Sequence, residues 1–302
     1  MNPDSDTLVT ALYVRVDDLL AAHPEWAPRR PAVGIAPKLS DAELVTLAVV
    51  SALLGFCSEA RFIRWAHAHL KTWFPYVPQR SGYNKRLRRS GELMQHVIAA
   101  LARECPSFFD DVWLADSTPV ECGRSRETQQ RSDLAGWAAY GYSASPSRHF
   151  WGLRLHLITT PSGLPIAYAL AGAKADERDM CLEMIARAQI ARRGQTLIAD
   201  KGYRSAAFED ALNAAGIALI RPATKTEQPR PGRRFLRPLR QIIESVNQTL
   251  KAQLGPQRHH GRTRSGVAAR ILQRLLALTA AIWHNQTTQQ PRPARSLIAY
   301  DH

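Results

Sequence analysis

The sequence has few of the residues that mark secreted and zinc-binding domains. Its 302 residues include only four cysteines, and no two of them form a CxxC pair. This scarcity excludes a disulfide framework and a structural zinc site, and it fits a reducing compartment. The first residues, MNPDSDTL, are acidic and lack the basic and apolar segments of a signal peptide, so we expect a cytoplasmic protein associated with the nucleoid.

Long apolar stretches are also absent. No uninterrupted apolar run reaches the roughly 18 residues that a membrane span needs, so we expect no membrane partner. The 45% share of hydrophobic residues is still enough to build a packed core, which excludes general disorder. The length suits one large domain or two ordinary ones.

Acidic residues are scarce relative to basic ones, 26 against 40, which gives a net charge of +14. The excess is concentrated in two segments. Arg61–Arg89 contains eight Lys or Arg and no acid, and Arg221–Arg264 contains eleven with only two acids. Many charge runs are simply solvated surface, but this concentration favours a polyanionic partner, because bound phosphates release their condensed counterions.

The first hundred residues show the periodicity of helices. Ser40 and Glu43 form a capping-box pattern ahead of an apolar run, and Ser58 can cap a further helix. A basic helix is predicted over 83–103; its candidate DNA-binding residues are Lys85, Arg86, Arg88 and Arg89. Short helices ending in an arginine-rich one are compatible with a helix-turn-helix-like DNA reader. A helical bundle with a basic outer face explains the same pattern, and this alternative stays open.

Strand and helix patterns alternate after Cys105. Residues 151–158 alternate apolar with other side chains and, with 164–171, predict a β-hairpin. Short apolar runs at 112–116 and 196–200 predict two further strands, and helices are predicted near 176–192 and 205–215. This order predicts an α/β fold, a mixed sheet flanked by helices.

Two of these strands end in an acid, Asp116 and Asp200, at the sheet edge where α/β proteins place their chemistry. A third acid, Glu244, lies on a predicted helix that starts near residue 238, and Arg240 and Lys251 share its face. Carboxylates are the ligands that Mg²⁺ prefers, and cations neutralise substrate phosphates. By pattern alone the three acids are weak evidence, because an Asp after a strand often serves only as a helix cap.

Four strings in this chain carry a family resemblance: DSTPV at 116–120, WGLRLHL at 151–157, ADKGY at 199–203 and IESVNQTLK at 243–251. Together they resemble bacterial insertion-sequence transposases of the DDE class, and most closely the insertion-sequence family numbered nine-eighty-two. The resemblance covers nearly the whole chain, since KLSDAEL, YNKRLR and HHGRTRSG also belong to it.

The resemblance implies an RNase H-like catalytic domain over 106–284, preceded by an all-helical DNA-binding region over 1–105 and followed by a C-terminal tail over 285–302. It implies that Asp116, Asp200 and Glu244 form a catalytic triad that holds two Mg²⁺ ions, which Mn²⁺ can replace. Arg240 and Lys251 match a signature Arg four residues before the Glu and a Lys seven after it. A signature Tyr is replaced by Arg237, which puts a Tyr-specific role in doubt.

The resemblance also implies the partners and the reaction. The partners are double-stranded DNA, as inverted-repeat ends and as target, and a second copy of the chain. Lys201 is a further candidate DNA-binding residue, and His156 is a possible contact to metal or water near the acids, although a core histidine is the commoner case. The implied reaction is metal-dependent cleavage at the element's ends, followed by attack of the freed 3′-hydroxyls on target DNA.

Two alternatives remain open at this point. A metal-dependent nuclease or resolvase would use the same acids, and a regulator derived from a transposase would bind DNA without cutting it. A tyrosine recombinase is suggested only by Tyr203, which we expect to pack or to touch DNA rather than to act as a nucleophile.

Overall fold

The computed structural model describes residues 3–30, 35–123, 126–143, 147–224, 227–228, 230, 241–242, 244–246, 248–249, 254–255, 258–290 and 293–300. The chain forms two compact units. Met1–Leu101 and Leu250–His302 make up the helical unit, and Ala102–Thr249 makes up the sheet unit. The sequence had suggested that residues 250–284 belong to the catalytic domain, whereas by packing they belong with the N-terminal helices. That functional division stays a prediction.

The helices with defined bounds follow in chain order. They are α1 (Pro3–Ala22), α2 (Asp41–Leu53), α3 (Glu59–His69), α4 (Arg80–Arg89), α5 (Gly91–Glu104), α6 (Arg126–Gln130), α7 (Glu177–Ala188), α8 (Ala206–Ala214) and α9 (Arg264–Thr287). Short 3₁₀ turns occur at Pro24–Trp26, Pro106–Phe109, Lys201–Tyr203 and Ile298–Tyr300. Residues 241–242, 244–246 and 248 are also helical.

The start of α2 is the capping box that the sequence predicts. The Glu43 N–H donates to Ser40 Oγ over 3.0 Å, and the Ser40 N–H donates to Glu43 Oε2 over 2.5 Å. Two of the otherwise unpaired N–H groups at the helix start are thereby satisfied. The first eleven residues of α2 except Glu43 are buried, and so is Ala52, which places this helix in the core of the helical unit.

The predicted single basic helix over 83–103 is wrong, because the structure divides it into α4 and α5 at Ser90. The Ser90 hydroxyl donates back to the Arg86 carbonyl over 3.1 Å, and its N–H also bonds into the last turn of α4. Gly91 then starts a new helix. Serine and glycine are both poor residues for a helix interior, so the chain turns there.

Helix α9 is the central helix of its unit, packed on α1, α2 and α4. Its length and composition would suit a membrane span, but 83% of its most apolar window is buried inside the structure, as in the core helix of a globular protein. Two of its buried polar side chains donate to main-chain carbonyls: Gln273 to Ala48 over 2.8 Å, and Arg274 to Leu254 over 2.7 Å.

The sheet unit contains one six-stranded sheet. Its strands are β1 (Val112–Gly123), β2 (Ala139–Ser143), β3 (Arg148–Thr159), β4 (Pro165–Gly172), β5 (Gln195–Ile198) and β6 (Ile217–Ile220). Strand β3 pairs antiparallel with β1 on one side and with β2 and β4 on the other. Strands β1, β5 and β6 are parallel. The predicted mixed sheet flanked by helices is confirmed.

Helices α7 and α8 cover one face of this sheet. Their buried side chains, among them Met184 and Phe208, pack on Trp113, Ala115 and Ile158. Strand β2 was not predicted from the sequence. It is short and contains Gly141, where a Cβ would lie only 2.7 Å from the Ala173 Cβ and 3.0 Å from the Phe150 ring, so close packing rather than an apolar pattern selects this strand.

Candidate active site

Strand register relates two of the predicted acids. Val112 pairs with Thr196 and Leu114 with Ile198 in the parallel ladder between β1 and β5, an offset of 84 residues. Asp116 and Asp200 differ by the same 84 positions, and each follows the last described pair of the ladder by two residues. Both carboxylates also act on the Tyr203 phenol, so the two acids lie at the same end of the ladder, and we call them the acidic pair.

The sequence predicted that Asp116 ends its strand, but it does not. It lies inside β1, which continues to Gly123 along β3. What ends near Asp116 is the ladder with β5, whose described pairs stop at Leu114. At Asp116, β1 is therefore still paired with β3, whereas its ladder with β5 has already ended.

Main-chain N–H groups orient both carboxylates of the acidic pair. The Ser117 N–H donates to Asp116 Oδ1 and the Gly202 N–H to Asp200 Oδ1, each over 2.7 Å. Asp200 is exposed and caps the 3₁₀ turn Lys201–Tyr203, so the cap reading of this residue is also correct. A Cβ on Gly202 would lie 2.9 Å from Asp200 Oδ1, so a glycine is needed to leave the carboxylate in place.

Sequence reasoning missed Glu177, in the first turn of α7. Its Oε1 accepts a hydrogen bond from Ser117 Oγ over 2.5 Å and one from the Arg154 guanidinium over 3.3 Å. Arg154 also donates to Ser117 Oγ over 2.8 Å and to the Tyr142 carbonyl over 2.7 Å. Because Ser117 follows Asp116, this network fixes the backbone beside the acidic pair. The signal for it was the Asp176-Glu177 start of a helix after a hairpin.

Tyr203 lies among the acids and is 1% exposed. Burial raises the pKa of its phenol well above the usual 10, and the negative charges of Glu177, Asp116 and Asp200 raise it further. A phenol in this setting keeps its proton and is a poor nucleophile. This agrees with the interpretation that Tyr203 packs in the core, and it gives a tyrosine-recombinase mechanism no support.

His156 lies on β3 opposite Ser117 and is fully buried. Within the described residues, neither of its ring nitrogens has a hydrogen-bond partner. Burial, together with the Arg154 guanidinium, lowers the pKa of His156 to about 4, so the ring is neutral at pH 7. Since strand side chains alternate between faces, His156 points to the side opposite Asp116. A role beside the metal stays a prediction.

The third predicted acid, Glu244, is helical and exposed. The two cations predicted on its helix, Arg240 and Lys251, lie outside the described residues. Among the residues that are described, no group of three or more His, Cys, Asp or Glu is arranged to hold a metal ion. The acidic pair nevertheless offers the hard oxygen donors that fit Mg²⁺.

The predicted DNA-binding residues divide into two kinds. Lys85, Arg88, Arg89 and Lys201 are exposed. Arg86 instead turns into the helical unit, where it donates to Asp41 and to the Leu39 carbonyl, each over 2.6 Å. Arg86 is therefore committed to holding α4 against the start of α2.

A known protein family matches the part of the chain that contains the acidic pair. The family model described as Transposase DDE domain matches residues 107–280, more than half of the chain. The chain belongs to this family. The DDE transposase match extends through both units, since residues 250–280 lie in the helical unit. A transposase function follows from the family.

Other comparisons are more distant. Among solved structures, the chain is similar to the cryo-EM structure of the piggyBac transposase synaptic complex with hairpin DNA, at 9% identity and a TM-score of 0.47. That likeness covers 98% of this chain and 76% of the other. None of the curated proteins compared with the chain matches it.

Proposed function

We propose that this protein is an insertion-sequence transposase that cuts DNA at the ends of its element and joins the freed ends to target DNA. The shared 84-residue offset of the acidic pair and the β1–β5 ladder carries this proposal, because it is the offset expected if the two carboxylates act at one site at the end of this ladder. The strand order, an antiparallel set followed by parallel strands, supports an RNase H-like domain.

Asp116, Asp200 and Glu244 would hold two divalent ions, with Mg²⁺ as the natural choice for carboxylate ligands. The ions, when bound, supply Lewis-acid stabilisation of the charge that develops on phosphate and leaving oxygens. Main-chain N–H groups of Ser117 and Gly202 hold the carboxylates in place, and Arg154 with Glu177 keeps the backbone at Ser117 fixed.

The bond changes are those of two phosphoryl transfers. In the first, water attacks phosphorus at the element end, the P–O3′ bond breaks, and a 3′-hydroxyl and a 5′-phosphate result. In the second, that 3′-hydroxyl attacks a target phosphodiester, a new P–O3′ bond forms, and a target 3′-hydroxyl leaves. Lys201 is exposed and follows Asp200, so it would contact a phosphate of the substrate.

The test is a cleavage and strand-transfer assay with labelled DNA carrying the flanking inverted repeats, with and without Mg²⁺. We expect Asp116→Asn, Asp200→Asn and Glu244→Gln each to reduce cleavage roughly a thousandfold or more, since several kcal/mol of charge stabilisation are lost. Binding to the ends in EDTA should persist. Retained cleavage in any variant removes that acid from the triad.

Glu177→Gln is the matched comparison for Glu244→Gln. Glu177 is already bonded to Ser117 and Arg154, so we expect this variant to lose far less activity than the Glu244 variant. The reverse result would make Glu177 the third acid. Specific binding by the unmodified protein without any cleavage would favour a DNA-binding regulator, and cleavage without end preference would favour a nuclease.

A further inference from the structure

The helical unit contains a cleft lined by Lys85, Arg88, Arg89 and Ser265, with a volume of about 320 Å³. We call it the basic cleft. Its walls come from two elements far apart in sequence, α4 and the first turn of α9. Three of the four lining side chains are cations, and none of the four is an acid. The space is several times that of a water molecule, so it admits a larger group.

The helical period of α4 explains why its cations converge. Lys85, Arg88 and Arg89 stand at positions i, i+3 and i+4 and share one face of the helix. Tyr83 and Leu87 lie on the buried face. Arg86, between them in sequence, is instead hydrogen-bonded to Asp41 and to main-chain carbonyls and does not line the cleft.

Helix α9 contributes the other wall. Thr263 caps this helix by accepting from the Gly266 N–H over 3.1 Å, which leaves Ser265 in the first turn beside the cations. The stem of Arg88 lies close to Gly266, since a Cβ placed there would be 3.9 Å from Arg88 Cδ. The start of a helix carries partial positive charge, which adds to that of the three cations.

Three like charges around one cleft repel one another unless a bound anion neutralises them. We propose that the basic cleft binds the sugar–phosphate backbone of duplex DNA, as an anchor for the DNA on which the proposed transposase acts. That the bound polyanion is DNA rests on the proposed function. Arginine forks and a lysine suit phosphate oxygens, and most hydrogen bonds between proteins and DNA go to phosphate and sugar.

The anchor is tested by DNA binding in EDTA, where metal-dependent cleavage is excluded, using fluorescence anisotropy of a labelled inverted-repeat duplex over a series of salt concentrations. The variant is Lys85→Ala/Arg88→Ala/Arg89→Ala. Its matched control, Arg29→Ala/Arg131→Ala/Lys174→Ala, removes three exposed cations from outside both basic segments. Both lose the same net charge.

We expect the cleft variant to bind at least a hundredfold more weakly at low salt. Its slope of log affinity against log salt should fall by about 2 to 3, close to 0.9 for each phosphate that the protein no longer neutralises. The control should change that slope by less than about 1. Equal losses in both variants, or no loss in the cleft variant, would overturn the anchor.

A second variant approaches the cleft from α9. Ser265→Glu places a carboxylate in the first turn, where an acid favours the helix, so the protein should fold at least as well as before. DNA affinity should nevertheless fall about tenfold, because the new carboxylate offsets the charge that would neutralise one phosphate. Unchanged affinity would contradict the α9 wall of the anchor.

Two further results separate this inference from the proposed function. A cleft variant that binds and cleaves like the unmodified protein overturns the anchor and leaves the transposase intact. A protein that never cleaves but loses binding in the cleft variant keeps the anchor and loses the transposase. Inorganic phosphate bound in the cleft of the unmodified protein, with DNA affinity unaffected by the cleft variant, would assign the cleft to a free anion and overturn the anchor.

Discussion

The acids in the core of the helical unit and the acidic pair of the sheet unit are held differently. In the helical unit, Asp41 is bonded to Arg30 and Arg86, and Glu59 is bonded to Arg270 and Asn84, all within or beside the core. In the sheet unit, main-chain N–H groups orient Asp116 and Asp200, and Asp200 is exposed. A carboxylate neutralised by arginine holds helices together, whereas one oriented by the backbone keeps its charge directed at what approaches from outside.

The largest expected effect on stability comes from breaking the buried pair of the helical unit. Glu59 and Arg270 are 7% and 8% exposed, and Asn84 donates to both oxygens of Glu59 over 2.9 Å. Glu59→Gln leaves Arg270 as an uncompensated buried charge, so we expect a loss of about 3 kcal/mol or more in the free energy of unfolding. Urea denaturation measures it.

The control for that prediction is Asp200→Asn in the sheet unit. Asparagine caps a helical turn about as well as aspartate, so unfolding should change by less than about 0.5 kcal/mol. Similar decreases in the free energy of unfolding for Glu59→Gln and Asp200→Asn would contradict the difference between these two kinds of carboxylate.

The next effect is the pH dependence that His156 confers. Its pKa is about 4 in the folded protein, below the ordinary 6.5, because burial disfavours the charged ring. The contribution of His156 to the free energy of unfolding is therefore fully present above pH 6.5 and is lost as the pH falls towards 4. From pH 7.5 to 4.5 we expect the free energy of unfolding to decrease by roughly 2–3 kcal/mol.

Replacing His156 by an apolar residue should remove this dependence. His156→Leu leaves no ring nitrogen buried without a partner, so we expect it to be at least as stable at pH 7.5 and clearly more stable at pH 4.5. Urea titrations of both proteins at the two pH values provide the measurement. If both proteins lose the same free energy of unfolding between pH 7.5 and 4.5, groups other than His156 cause the pH dependence.

The smallest effect concerns the orientation of Asp200. In Gly202→Ala the new Cβ would lie 2.9 Å from Asp200 Oδ1, so the carboxylate must shift. We expect cleavage to fall about tenfold, the equivalent of roughly 1.4 kcal/mol, without a change in the melting temperature. Gly82→Ala, whose nearest neighbour would be Pro78 Cβ at 3.7 Å, is the control and should cleave normally.

Local patterns in the sequence predicted those features that depend on near neighbours. The α2 capping box and the β3–β4 hairpin lie within short stretches of chain, so periodicity and turn residues were enough to find them. The division at Ser90 was missed because the apolar and basic period runs on through it, while the side chain bonds backwards to Arg86.

Features that depend on distant residues were not readable in this way. Arg86 resembles its basic neighbours in sequence, and only the folded position of Asp41 shows that it points inwards. Glu177 acquires its place beside Ser117 from the packing of α7 on the sheet. Asp116 and Asp200 were predicted at one edge of the sheet, but only the β1–β5 register shows that their positions along the two strands correspond.

The position of α9 has a consequence for synthesis of the protein on the ribosome. This helix follows the sheet unit in the chain, yet it packs on α1, α2 and α4, which precede that unit and so are made earlier. The early helices remain without their central partner, and the basic cleft without its second wall, until residues 264–287 have left the exit tunnel. A fragment ending before α9 should therefore expose apolar helix faces and, if the proposed anchor is correct, bind DNA weakly.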